Sequence, residues 1–110
     1  MRQDNIAMKN QSIIFGGYRS WSLKILEHCK KKYLDYNWYH AYNQETLRDL
    51  IEIESVKLVI LAGWSWIIPK RIIEKKDFVG FHPSNLPDYA GGSPIQNQIL
   101  DGITMTKMSL

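Results

Sequence analysis

Lys57-Leu58-Val59-Ile60-Leu61-Ala62-Gly63 is a continuous aliphatic and β-branched run closed by a glycine. A short apolar run without polar alternation is the pattern of a strand covered on both faces of a parallel sheet. The residues on either side of it change period. Upstream, Leu47, Leu50, Ile51 and Ile53 fall on one face of a helix, and Asn43 before them is a good N-cap. Downstream, Trp64-Ser65-Trp66-Ile67-Ile68 follows the glycine as a loop, and Pro69 opens a short helix carrying Ile72 and Ile73.

The same alternation extends to both ends of the chain. Ser12 to Phe15 is a short apolar run ending in Gly16-Gly17, and Trp21, Ile25, Leu26 and Cys29 then recur at helical spacing. Trp38 to Ala41 reads as the second strand. After Asp77 closes the third strand-helix unit, Phe78 to Phe81 reads as the fourth strand. Residues 82–93 are rich in Pro, Gly, Asn and Asp and read as a loop. Pro94 starts a helix through Leu100, Gly102 stops it, and Thr104 to Leu110 begins a fifth strand. Strands alternating with helices imply an α/β fold, a Rossmann-like open and mainly parallel sheet with helices on both faces.

The chain has 110 residues, 45% hydrophobic and 23% charged, which suits one modest core. No apolar run approaches the roughly 20 residues of a membrane span, and no signal peptide is evident, so the expectation is a cytoplasmic location and no membrane partner. Cys29 is the only cysteine, which excludes an internal disulfide and a cysteine-based metal site. No metal is expected. The net charge of +3 comes largely from Lys30-Lys31-Lys32 and from Lys70-Arg71 with Lys75-Lys76, all placed on predicted helices. The first run suits the C-terminal end of a helix dipole, with a polyanion site as the other reading. Met105, Met108 and Leu110 in a terminal strand would need further elements to cover them, so residues 1–110 are expected to be the N-terminal part of a larger domain. A complete small domain is the alternative.

Chemistry is concentrated after the fourth strand, in His82-Pro83-Ser84-Asn85-Leu86-Pro87-Asp88-Tyr89-Ala90-Gly91-Gly92-Ser93-Pro94-Ile95-Gln96. Ligands of open parallel sheets bind outside the carboxyl ends of the strands, where His82 stands. Prolines stiffen this loop, glycines let backbone approach a ligand, and Pro94 begins a helix. The plainer reading is that His82 caps a strand and the glycines make a turn. Gly16-Gly17 lacks the G-x-G-x-x-G spacing of a dinucleotide site.

The run HPSNLPDYAGGSPIQNQIL, together with LVILAGWSWIIP upstream and the glycine turn after the first strand, resembles the formyltransferase family. That family includes methionyl-tRNA formyltransferase, glycinamide ribonucleotide formyltransferase and the nucleotide-sugar N-formyltransferases. The resemblance covers about residues 12–110. It implies an enzyme that transfers a formyl group from N10-formyl-tetrahydrofolate, as a small-molecule donor, to a primary amine. His82 matches the family histidine, which helps proton transfer and stabilises an oxyanion. The family's aspartate would fall beyond Leu110. Its asparagine position, two residues before the histidine, is Gly80 here, and Asn97 is the expected substitute, with Asn85 as competitor. Ala90 stands where family members often carry Arg.

By the same resemblance, Trp66, Ile67 and Ile68 would wall the pterin ring, with Leu86 and Pro87 closing it, and Ser84, Gly91 and Gly92 would meet the acceptor. A flat heteroaromatic ring needs apolar walls and backbone groups at its edge, which an irregular loop at a strand end supplies. The other reading makes Trp64, Trp66 and the isoleucines core residues under the next helix. Tyr18, Arg19 and Trp21 either touch the acceptor or pack on the surface. A nucleotide-linked amino sugar is the expected acceptor. Methionyl-tRNA is the alternative, and a non-catalytic folate- or nucleotide-binding module is the reading from another class. A homodimer contact would use a part beyond Leu110.

Overall fold

The structure, a computed structural model, describes residues 11–81 and 100–101. The chain forms two compact units, Met1–Val79 and Gly80–Leu110. The elements in order are β1 (Ser12–Gly16), α1 (Ser20–Lys32), β2 (Asn37–Ala41), α2 (Gln44–Leu50), β3 (Val56–Ala62), α3 (Lys70–Ile73) and β4 (Asp77–Phe81). The strands make one sheet in the order β2-β1-β3-β4. Both β2 and β3 run parallel to β1, with Gly16 beside Ala41 on one side and beside Leu61 on the other. The expected α/β architecture is therefore present.

Local chemistry explains where each element starts and stops. Asn43 caps α2 with a full capping box: its Oδ1 accepts from the Thr46 N–H at 2.8 Å, and Thr46 Oγ1 accepts from the Asn43 N–H at 3.1 Å. Pro69 is the N-cap of α3 rather than its first helical residue, with extended ψ of 143°. Asp77 opens β4 instead of closing the unit before it. Lys30, Lys31 and Lys32 occupy the last turn of α1, as the dipole argument requires. Lys75 and Lys76 lie past α3, not on a helix; Lys75 pairs with Glu52, and the Lys76 ammonium donates to the Ile53 carbonyl at 3.1 Å.

The core joins Ile14 and Ala41 of the first two strands with Leu47 and Ile51, Val56 and Val59 of β3, and Ile72 of α3. One expectation is corrected. The strand buried at all five positions is β1, whereas β3 is buried only at Val56, Val59 and Ala62, with Lys57 exposed. Hydrophobicity makes a strand; β1 and β3 both lie inside the sheet, and what packs on their faces decides burial, which is complete along β1 and partial along β3. The predicted Pro94 helix and the fifth strand fall outside the described residues, except Leu100, which is helical and 82% exposed.

Candidate functional site

Parallel pairing of β1 with β3 brings two connections to the same end of the sheet: the turn after β1 and the loop after β3. The turn is built without clearance. A Cβ on Gly17 would lie 2.6 Å from the Ala62 carbonyl oxygen and 2.9 Å from Ser22 Cβ, closer than atoms pack. The Gly17 N–H donates to the Ala41 carbonyl at 3.0 Å, and His40 Nε2 donates to the Gly17 carbonyl at 2.6 Å. Ser22, fully buried in the first turn of α1, donates to the Ala62 carbonyl at 2.7 Å. Three elements thus clamp Gly17 between β2, β3 and α1.

The loop after β3 starts equally tightly. Gly63 has φ of +71°, a conformation that side chains other than glycine's resist, and a Cβ there would meet Trp21 at 2.8 Å. From Trp64 to Ile68 the packing loosens, and among the described residues this stretch makes no backbone–backbone hydrogen bond. Trp64 packs against the core, yet its indole N–H is buried without a hydrogen-bond partner among the described residues. Orphaned buried donors are uncommon and call for an explanation. Trp66 stacks at 4.9 Å on Tyr18 and at 5.0 Å, edge-on, on Trp64. Tyr18 also shares a hydroxyl hydrogen bond with Ser65, and the Arg19 guanidinium lies 5.3 Å from the Tyr18 ring centre.

The three residues expected to wall a ring are therefore placed differently from one another. Ile68 packs against the core, Ile67 is 89% exposed, and Trp66 leans toward the β1 turn. Ile67 and Ile68 line a crevice of about 360 Å³, open mouth included, together with Trp64 and Pro69. Its other walls are Gln44, Leu47 and Arg48 of α2 and Arg71 and Ile72 of α3. Trp66 is not part of it. Tyr18, Ser65 and His40 were missed as site-forming residues by sequence reasoning or left open, because only the strand order shows that the first and third connections meet. Gln44 and Arg48 carried no sequence signal, and Arg71 was marked only as part of the basic Lys70-Arg71 pair.

His82, Ser84, Asn85, Leu86, Pro87, Gly91, Gly92 and Asn97 lie outside the described residues. Among the described residues no group of three or more His, Cys, Asp or Glu side chains could hold a metal ion, and no helix is long and apolar enough to cross a membrane. Burial pushes the Cys29 thiol pKa up, with Lys32 pulling it the other way, so this cysteine is held as a protonated thiol rather than a nucleophile.

Comparison with known proteins bears on the whole constellation. The family model described as Formyl transferase matches residues 15–109. A methionyl-tRNA formyltransferase of Rickettsia rickettsii (strain Iowa) is 32% identical over 69 residues, which cover 56% of this chain and 23% of that protein. One of Orientia tsutsugamushi (strain Boryong) is 36% identical over 58 residues, 51% of this chain and 19% of that protein. The solved structure of methionyl-tRNA formyltransferase from Clostridium thermocellum superposes with a TM-score of 0.78 at 37% identity, over 90% of this chain and 44% of that one. The chain thus spans less than half the length of these relatives. With a match running from the last residues of β1 almost to the C-terminus, on a parallel sheet of the same architecture, the chain belongs to the formyl transferase family.

Proposed function

We propose that the protein transfers a formyl group from N10-formyl-tetrahydrofolate to the amine of methionyl-tRNA. The observation that carries this reading is the family match over residues 15–109, with relatives named as methionyl-tRNA formyltransferases. Those names favour the tRNA acceptor over the nucleotide-linked amino sugar expected from the sequence. An enzyme is favoured over a non-catalytic module on the same ground.

The loop after β3 suits a donor with a flat, heteroatom-edged ring. Trp64, Ile67 and Ile68 offer apolar surface, and the backbone groups of residues 64–68 are not spent on one another. Trp64 lines this crevice, and its buried indole N–H has no hydrogen-bond partner among the described residues. Trp66, Ile67 and Ile68, with Leu86 and Pro87, are the proposed ring-binding set, and Ser84, Gly91 and Gly92 the proposed acceptor contacts. The donor brings an activated formyl carbon. As the acceptor amine bonds to that carbon and the carbon–N10 bond breaks, the amine must lose a proton and N10 must gain one. His82 is the residue we assign to that proton and to the transient oxyanion, with Asn97 as the amide donor in place of the asparagine that Gly80 lacks.

Calorimetric titration of the protein with 5-formyl-tetrahydrofolate, beside Trp66→Ala and His82→Ala variants, tests the donor. Binding that weakens in Trp66→Ala supports the assigned loop, and absence of binding to well-folded protein removes the folate reading. Formyl transfer assayed on methionyl-tRNA and on a nucleotide-linked amino sugar then decides the acceptor. Transfer to the sugar alone would overturn the tRNA assignment.

A further inference from the structure

We infer that Tyr18, at the end of the β1 turn, is a positioning residue for the loop after β3: it holds Trp66 and Ser65, and through them the donor-side wall. The inference deepens the proposed function and rests on that reading wherever folate binding is the readout.

The argument begins with an imbalance between two neighbours. Gly17, just before Tyr18, is clamped by a backbone hydrogen bond to Ala41, by His40 and by atoms that leave no room for a Cβ. Residues 64–68 have no backbone hydrogen bonds among themselves or to the sheet within the described residues, so their own chain does not determine their shape. Side chains must do so. Trp64 anchors one point against the core and Ile68 another. Between them, Ser65 and Trp66 are joined to the rest of the fold by Tyr18, whose hydroxyl bonds to Ser65 and whose ring meets Trp66 at 4.9 Å with a 52° tilt.

Tyrosine suits this task because it has few rotatable bonds, an apolar ring for stacking and a polar tip for a hydrogen bond. The rings continue in line: Arg19 over Tyr18, Tyr18 on Trp66, Trp66 edge-on to Trp64. A rigid turn therefore passes its position to a loop that lacks internal support. The hydroxyl shares its hydrogen bond with Ser65, so Tyr18 touches the donor loop at two successive residues.

Tyr18→Phe removes the hydroxyl bond and keeps the stack, Ser65→Ala removes the other partner, and Tyr18→Leu removes both contacts. The primary measurement is the rate of native-state chymotrypsin cleavage at the Trp66–Ile67 bond in the protein without ligand, divided by the rate for the same bond in the unfolded chain. That ratio should rise about two- to ten-fold in Tyr18→Phe and in Ser65→Ala, the range of one partly exposed hydrogen bond, and no further in the double variant. Tyr18→Leu should exceed either. The second measurement is the affinity for 5-formyl-tetrahydrofolate, which should fall in the same order with the melting temperature unchanged. Wild-type cleavage ratios in all three variants overturn the inference, as does additivity in the double variant. If the wild-type protein binds no folate, the proposed function fails, and the cleavage ratios still decide the role of Tyr18.

Discussion

The turn after β1 and the loop after β3 leave adjacent parallel strands at the same end of the sheet, yet they are built on opposite terms. In the turn, Gly16 and Gly17 are buried, and a methyl group on Gly17 would fall within 3 Å of both the Ala62 carbonyl oxygen and Ser22 Cβ. In the loop, Ile67 is 89% exposed and the backbone of residues 64–68 goes unpaired among the described residues. One connection is part of the core. The other is surface held in place by aromatic contacts. The difference teaches that glycine-bearing connections at strand ends are not equivalent: one sets the geometry and the other is free to meet a ligand.

Three substitutions would break or sharpen that contrast. Gly17→Ala carries the largest expected effect, because the first clash is with backbone that cannot swing aside; we expect about 1–3 kcal/mol of lost stability, read from denaturant unfolding. A variant as stable as the wild type would mean that the turn is not clamped. Gly63→Ala, at the boundary between the two regimes, should cost about 1–2 kcal/mol because the left-handed conformation opposes any Cβ, and the nearby Trp21 ring adds to it. A cost well below that of Gly17→Ala would put the boundary nearer β3. Ile67→Ser should change stability by less than about 0.5 kcal/mol, as an exposed side chain does, while weakening 5-formyl-tetrahydrofolate binding by calorimetry. If it destabilised the fold like Gly17→Ala, the loop would belong to the core and the contrast would disappear.

Much of the frame was legible before the structure. Asn43 announced a helix because its side chain satisfies an amide that the helix leaves free, and Thr46 completed the exchange as a local pattern. Pro69 and the Lys57–Ala62 run were similarly self-declaring, to within a residue or two at their ends. The family was legible too, in the ordered blocks from His82 to Pro94. Burial was less so: Lys57 to Ala62 reads as more apolar than Ser12 to Gly16, yet the latter is the fully covered strand.

What the sequence by itself determined about this protein is what depends on neighbours in the chain: the alternation of strand and helix, the caps, the turns and the family motif. Periodicity and side-chain-to-backbone bonding act over a few residues, so they can be read in one dimension. The tertiary structure alone decided that β3 returns beside β1, that His40 reaches the Gly17 carbonyl, and that Tyr18 meets Ser65 and Trp66 from 47 and 48 positions away. Those contacts follow from strand order and from parallel crossovers, which bring distant parts of the chain to one end of the sheet.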